Sequence, residues 1–533
     1  ASSVIVIMLR KLVGGGVGAG LAAGLYKLTV SDDELEIIGE IRPEALENWS
    51  GTHKVHVQGV YRPESVEQVE AIVKKIDRER SKIRCIGSGL SPNGIGLADE
   101  DGYGISVENM NAITKVDLGK KQVTVEAGAL VGQVLDELKE HGLTLENLAS
   151  INQQQMGGFT QVGAHGTGAR IPPVDQQVVA MEIVSPGLGR IELSADSNPN
   201  WFRFAKCGLG AFGVVTKLTL QCVDAHRLKE NTVVMTRREV RKNHIERLRE
   251  NRHVRYMWIP YADAVVVVTS NPTDDELTDE SKIPKPNTKP LTDLLAMLDE
   301  SPQNTDNLSF ADLRDRLLST NTLITTHVQF VNKAESGFWK KNQTSGIVDD
   351  SFNVLAFECG GQQLVLESAF DCGTLDKPNG NDLTFMENLL GVIEVVGFPA
   401  PAPIEQRWSC GSISPMSPVA CQDKEMKNKL FSWVGIIMYL PTKDPEKKNS
   451  IMEKFEEYKE LLEMVDESGE YNIQTHWAKL EASQSEQELS KLQKKLAKRY
   501  PLEEFRKQKS IFDPNNCIGN EWLDRLLLFE ELP

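Results

Sequence analysis

Apolar residues recur at helical spacing at Val66, Val69, Ile72, Val73 and Ile76, which predicts an amphipathic helix. Leu130, Val134, Leu135 and Leu138 predict a second helix that stops near Gly142. Short apolar runs at 57–60 and 83–86 read as strands, and Val123 and Val125 alternate with polar residues after a turn at Lys120 and Lys121. The apolar run 214–220 reads as the last strand of this first unit, which ends near Cys222. Strand and helix alternate throughout it, an α+β or α/β pattern. Further on, residues 233–235 and 264–269 read as strands, the second almost all valine. Residues 452–464 and 484–500 have helical periodicity with many charges. Residues 272–308, rich in Pro, Asp, Lys and Asn, read as a surface insertion.

With 533 residues the chain exceeds one ordinary core, so two domains are expected. The eight cysteines show no C-x-x-C and no zinc spacing, which implies reduced thiols and no metal. Cys359, beside Gly360 and Gly361, reads first as a buried small residue and second as a redox-sensitive thiol. A net charge of −17 argues against a nucleic-acid partner, because phosphate binding rewards basic surfaces. It suits solubility and, beyond that, a basic partner protein.

The chain begins with Ala rather than Met, which suggests a processed or trimmed start. Residues 12–26 are apolar and Gly-rich. As a helix they reach roughly 22 Å, short of the roughly 20 residues that span a bilayer. Gly16, Gly20 and Gly24 share one helix face, which suits close helix contact in a membrane. Contact with a membrane or membrane protein through residues 4–27 is the first reading. A remnant of a targeting segment and a flexible tail stay open.

The candidate chemistry sits in two Gly-rich stretches, 87–94 and 157–169. Missing Cβ atoms let backbone N–H groups approach a pyrophosphate closely. One such loop most often just turns the chain. Two, both rich in Ser and Thr, suggest a large phosphate-bearing cofactor. Neither matches G-x-x-x-x-G-K-[ST] or a strand-linked G-x-G-x-x-G at the chain start, which argues against a P-loop NTPase and an ordinary NAD-binding domain.

Seven motifs then occur in order: GSGLSPNGIGL (87–97), GLTLENLASI (142–151), VGAHGTGAR (162–170), KCGLGAFGVV (206–215), PAPIEQRWS (401–409), SPMSP (414–418) and HWAK (476–479). On these the chain, from about Trp49 to Leu532, resembles the aldonolactone oxidoreductases of the vanillyl-alcohol-oxidase type of FAD enzymes. The resemblance implies an α+β fold: a PCMH-type FAD-binding domain, then an α/β cap (substrate) domain, with the C-terminal segment returning to the flavin. The expected boundaries are 1–52 for the contact segment and linker, 53–224 for the FAD domain, 225–470 for the cap and 471–533 for the returning segment.

What the resemblance implies can be carried over residue by residue. FAD would be held by Gly87, Ser88, Gly89, Leu90, Ser91, Pro92, Asn93 and Gly94, by Ala149 and Ser150, by Gly157 and Gly158, by Gly163, His165, Gly166, Thr167 and Gly168, and by Gly208, Gly210 and Val214. Family members often carry a histidine bonded to FAD where this chain has Leu90, so noncovalent FAD is expected. Related oxidases tend to have Gly where Ala149 stands, and one methyl can close a narrow oxygen path in a tightly packed interior. Both residues favour a dehydrogenase; by themselves each is only a packing residue.

Glu405 and Arg407 lie two apart in a strand and so share a face. Spacing alone allows an ordinary strand ion pair. The resemblance makes them site residues: Glu405 on the lactone hydroxyls, Arg407 on developing negative charge. His476 would orient substrate or shuttle a proton, and Lys479 would favour the anionic reduced flavin. Ser414, Met416 and Ser417 are expected to line the same pocket.

The activity implied is oxidation of L-galactono-1,4-lactone to L-ascorbate, with cytochrome c as acceptor. The implied setting is the intermembrane-space side of the mitochondrial inner membrane, with attachment to complex I or its assembly intermediate. Two other readings remain: a mainly structural component of complex I, and an oxygen-using aldonolactone oxidase.

Overall fold

The computed structural model describes residues 41–298, 308–356 and 361–529. The expectations for residues 4–27 and for Cys359 lie outside the described residues. Among those described, no helix is long and apolar enough to cross a membrane.

The first unit opens on a βαβ element. Ser65 caps the helix Val66–Glu79 by accepting from the Gln68 amide, and Arg80 ends it with a left-handed φ of 55°. The helix buries Val69, Ile72, Val73 and Ile76, the face its spacing predicts. It joins Gly59–Tyr61 to Ile83–Cys85, and both run parallel to Tyr103–Ile105 between them. Next to this lies a five-stranded antiparallel sheet in the order Gly189–Ser194, Val178–Ser185, Val214–Gln221, Gln122–Glu126 and Ile113–Asp117. The hairpin turning at Lys120 and Lys121 and the helix Val131–Glu140 are as expected.

Val123, Val125, Val134 and Leu218 share a core with Trp477, Phe505, Phe512 and Trp522 from the end of the chain. The C-terminal helices Glu486–Arg499, Leu502–Phe512 and Glu521–Leu527 thus pack back on the first unit.

The second unit is an eight-stranded sheet. Its order is Thr344–Asp350, Arg227–Met235, Val265–Thr273, His253–Trp258, Ile404–Ser409, Lys429–Tyr439, Gln363–Thr374 and Gln474–Thr475. Every pairing is antiparallel. Antiparallel strands expose alternate residues to two different environments. Ile404, Trp408, Val434, Ile436 and Leu366 therefore turn to one face, where they join Phe385, Leu389 and Tyr458 of the helices Asn381–Val396 and Pro445–Val465. The residues between them turn to the opposite face, where Glu367 meets His165 of the first unit and Ile437 and Tyr439 pack on the helices Lys289–Leu298, Phe310–Thr320 and Thr325–Lys341.

The stretch 272–308 is largely exposed over its described residues, as expected of a surface insertion, but it is not without structure. Its helix Lys289–Leu298 buries Leu291 and Leu295 against Leu313, Leu317 and Val328. Four-residue leucine spacing within a polar composition is enough to dock a helix.

Candidate active site

The two units enclose a cavity of ≈ 580 Å³, lined by both. On the first unit's side, strand Ile83–Cys85 leads straight into the loop Gly87 to Pro92, whose six residues all line it. Gly89 holds a φ of 67°, and Leu90 offers only an aliphatic side chain. The amides of Gly87, Ser88, Gly89, Leu90 and Ser91 donate no hydrogen bond among the described residues, so they remain for a ligand's anionic group. Ala149, Ser150, Gly157, Gly158, His165, Gly210 and Val214 line the same space. A Cβ at Gly158 would meet nothing within 4 Å, so the missing side chain opens onto free space.

Other expected cofactor residues stand behind this wall. Asn93 is buried and donates to the carbonyls of Trp477 (2.8 Å) and Leu480 (2.7 Å), tying the first loop to the C-terminal turn. Gly94 begins the short turn Gly94–Gly96. Gly166 lets two segments touch: a Cβ there would sit 2.1 Å from the Leu148 carbonyl, and its amide donates to Asn147 Oδ1 at 2.7 Å. Thr167 contacts His253, and the Gly168 amide donates to the Trp408 carbonyl, so both stitch the first unit to the second. Gly163 packs against Pro418 and Gly208 against Phe212. Ser414 donates to Asp175, and the Met416 carbonyl accepts from Trp477 Nε1 at 2.5 Å. Neither these two nor Ser417 is among the residues that line the cavity.

The opposite wall is the polar face of the eight-stranded sheet. Glu405 and Arg407 do share that face, with Arg407 Nε 3.3 Å from Glu405 Oε2. Arg407 Nη2 donates to Glu367 Oε1 at 2.5 Å. Lys479 also donates to Glu367, and His165 Nε2 lies 3.4 Å from it. Glu367 is thus a buried carboxylate on which an arginine, a lysine and a histidine converge. Arg255 Nη1 lies 3.8 Å from Glu405 on its other side.

Burial by itself would raise the Glu367 carboxyl. The Arg407 and Lys479 charges outweigh it and hold the group well below the usual carboxylate range. Burial first, and Lys479 next, push the His476 imidazole well below its ordinary value. His476 Nδ1 accepts from the Ala478 amide at 3.1 Å, so the neutral ring carries its proton on Nε2 and acts as a donor. His165, lowered mainly by burial, stacks on Trp433 at 3.7 Å between ring centroids.

Two features escaped sequence reasoning. Glu367 belongs to no motif, and only its place on an alternating strand could have raised it. Arg84 is buried beside the first loop, donates to the carbonyls of Ile95 (2.8 Å) and Leu209 (3.0 Å), and has no carboxylate within ion-pair distance among the described residues. Burial lowers it to about 10, so it stays cationic. A buried cation beside unpaired amides suits a diphosphate.

A glycine-rich cradle with spare amides and a buried cation, facing a sheet that carries charged side chains, is the arrangement of a two-part FAD-dependent oxidoreductase. Residues 57–193 match the FAD binding domain family and residues 218–526 match the D-arabinono-1,4-lactone oxidase family. The mitochondrial L-galactono-1,4-lactone dehydrogenase 2 of Oryza sativa subsp. japonica is 44% identical over 501 residues, 92% of this chain and 84% of that one. The mitochondrial L-galactono-1,4-lactone dehydrogenase of Brassica oleracea is 44% identical over 497 residues, 90% and 82% of the two chains. Cholesterol oxidase from B. sterolicum shares the fold, with a TM-score of 0.69 at 16% identity over 94% of this chain and 98% of that one. The chain belongs to the aldonolactone oxidoreductase family of FAD enzymes.

Proposed function

We propose that this FAD enzyme oxidises L-galactono-1,4-lactone to L-ascorbate and passes the electrons to cytochrome c. The observation that carries the reading is the convergence of Glu405, Arg407, Glu367, Lys479 and His476 on one wall of a cavity whose other wall is the glycine cradle. FAD would be held by the loop amides and Arg84, noncovalently because Leu90 has no nucleophile. Bound FAD supplies the acceptor for the hydride that leaves a substrate carbon.

The chain's own residues do the rest. Glu405 accepts hydrogen bonds from the lactone hydroxyls and takes part in removing a hydroxyl proton. Arg407 sits where negative charge develops on the substrate, and Glu367 holds it there. Lys479, fixed by the same carboxylate, places a positive charge at the flavin-facing end. His476 donates from Nε2 and so orients rather than abstracts. Ala149 and Leu90 favour a dehydrogenase over an oxidase. The net charge of −17 suits a basic electron carrier. A mitochondrial setting and attachment to complex I rest on the resemblance.

The test is anaerobic mixing of the purified holoprotein with L-galactono-1,4-lactone while flavin absorbance is followed, with cytochrome c added afterwards. Bleaching, then recovery on adding cytochrome c, is expected. A bound flavin that no aldonolactone bleaches would overturn the reading. Recovery with oxygen but not with cytochrome c would overturn the acceptor.

A further inference from the structure

The floor of the cavity can be read row by row from strand register. Glu405 lies opposite Gly435, which lies opposite Glu367. Two residues on, Ile437 lies opposite Val365; four residues on, Tyr439 lies opposite Gln363. At the strand rise, the Tyr439 row is about 13 Å from the Glu405 row. Arg407 lies opposite Trp433, so a six-carbon lactone held between Glu405 and Arg407 sits on the rows of Gly435 and Trp433, on the side away from Ile437, and stops short of Tyr439. The cavity continues, because Tyr439, Arg314, Glu335 and Trp339 line it too.

This far end is polar and built from buried groups. The Arg314 guanidinium lies 3.8 Å over the Tyr439 ring and directs Nε and Nη2 to Asp315. Glu335 Oε1 accepts from Trp339 Nε1 at 3.3 Å. Arg314 is 6% exposed and Glu335 2%. Among the described residues, Arg314 Nη1 and Glu335 Oε2 take part in no hydrogen bond. Neither atom is sealed in packed protein, since both residues line the cavity, and a donor beside an acceptor at one end of it suits a ligand that supplies both. Between the two polar ends, Val365 and Ile437 make an apolar waist.

The charge at this end selects the ligand class. Asp315 matches Arg314, and Glu335 lies close enough to feel the same cation. The end therefore has no surplus positive charge for a carboxylate or phosphate. Neutral hydroxyls can satisfy both Nη1 and Oε2, and a sugar's C–H face can lie on the waist and on Trp339.

We infer that Arg314, Glu335, Trp339 and Tyr439 form a second subsite that binds an uncharged, hydroxylated extension of an aldonolactone, such as a second sugar ring. The inference rests on the aldonolactone reading above and extends it to substrates longer than the free lactone.

The experiment compares L-galactono-1,4-lactone with its 6-O-β-D-glucosyl derivative by initial rates and by anaerobic flavin bleaching. Wild-type holoenzyme, Glu335→Gln and Trp339→Phe are used. In the wild type the glucosyl derivative should have a KM about tenfold below that of the parent. That ratio should fall to twofold or less in both variants. A glucosyl derivative that binds no better than the parent, or a ratio that survives both substitutions, overturns the subsite while leaving the aldonolactone reading intact. Bleaching by neither compound removes that reading and the subsite with it. Two chemically different variants keep the test open if one of them folds poorly.

Discussion

On one side of the cavity Gly87, Gly89 and Gly158 present little except main chain, and the amides of 87–91 are left unpaired. On the other side Glu367, Arg407 and Lys479 present side chains that are already paired with one another. The first wall binds by leaving groups unsatisfied until a ligand arrives. The second holds charges in place before any ligand arrives, which avoids reorganisation when charge develops. The cradle should therefore respond to added volume and hardly to pH, and the floor should respond to charge and pH.

The largest expected effect is acid. His165, His476 and His253 are lowered chiefly by burial, His253 to about 4. The unfolded chain takes up protons near 6.5, whereas the folded chain does not. Their contribution is present above about pH 6.5 and is lost as pH falls below it, for His253 by about 1.4 kcal/mol per pH unit down to its folded value of about 4. Glu367 adds a loss at lower pH, because its folded value lies below its unfolded one. Denaturant unfolding of the holoprotein from pH 7.5 to pH 5 checks this. A flat profile would mean that these histidines are not held neutral.

Next comes Glu367→Gln, which keeps the shape and removes the charge that Arg407 and Lys479 share. Breaking a buried ion pair from one side costs about 3–5 kcal/mol. Turnover should fall at least about 10²-fold. With Arg407 and Lys479 no longer balanced, the flavin should become easier to reduce, which a redox titration reads directly. A variant with normal turnover and an unchanged potential would reduce Glu367 to ordinary packing.

Two glycine substitutions then separate close packing from ligand approach. Gly166→Ala forces a Cβ to 2.1 Å from the Leu148 carbonyl and should destabilise the protein with or without FAD, by about 1–3 kcal/mol or more. Gly158→Ala meets no protein atom within 4 Å and sits in the helix Met156–Gln161. The FAD-free protein should keep its melting temperature or gain up to about 1 kcal/mol, while FAD affinity falls. Thermal unfolding with and without added FAD distinguishes the two. Equal behaviour of the pair would break the contrast between a wall that packs and a wall that waits.

Much of this molecule was legible in the chain because the relevant signals are local. The face of the helix Val66–Glu79 follows from its 3.6-residue spacing. The shared face of Glu405 and Arg407 follows from the two-residue period of a strand. The glycine loops announce close backbone approach within a few residues. What lies across the sheet was not legible. Glu367 meets Arg407 across 40 positions and Lys479 across 112, and the strand register that joins them has no local signature. Arg84 reads as a strand residue until the carbonyls of Ile95 and Leu209 are seen to enclose it. The roles within the expected loop also divided only in three dimensions, with Gly158 on the cavity and Gly166 behind it. Local periods fix which way a side chain points, because they follow from backbone geometry. The identity of its buried partner depends on packing between distant segments, and that was decided by the tertiary structure alone.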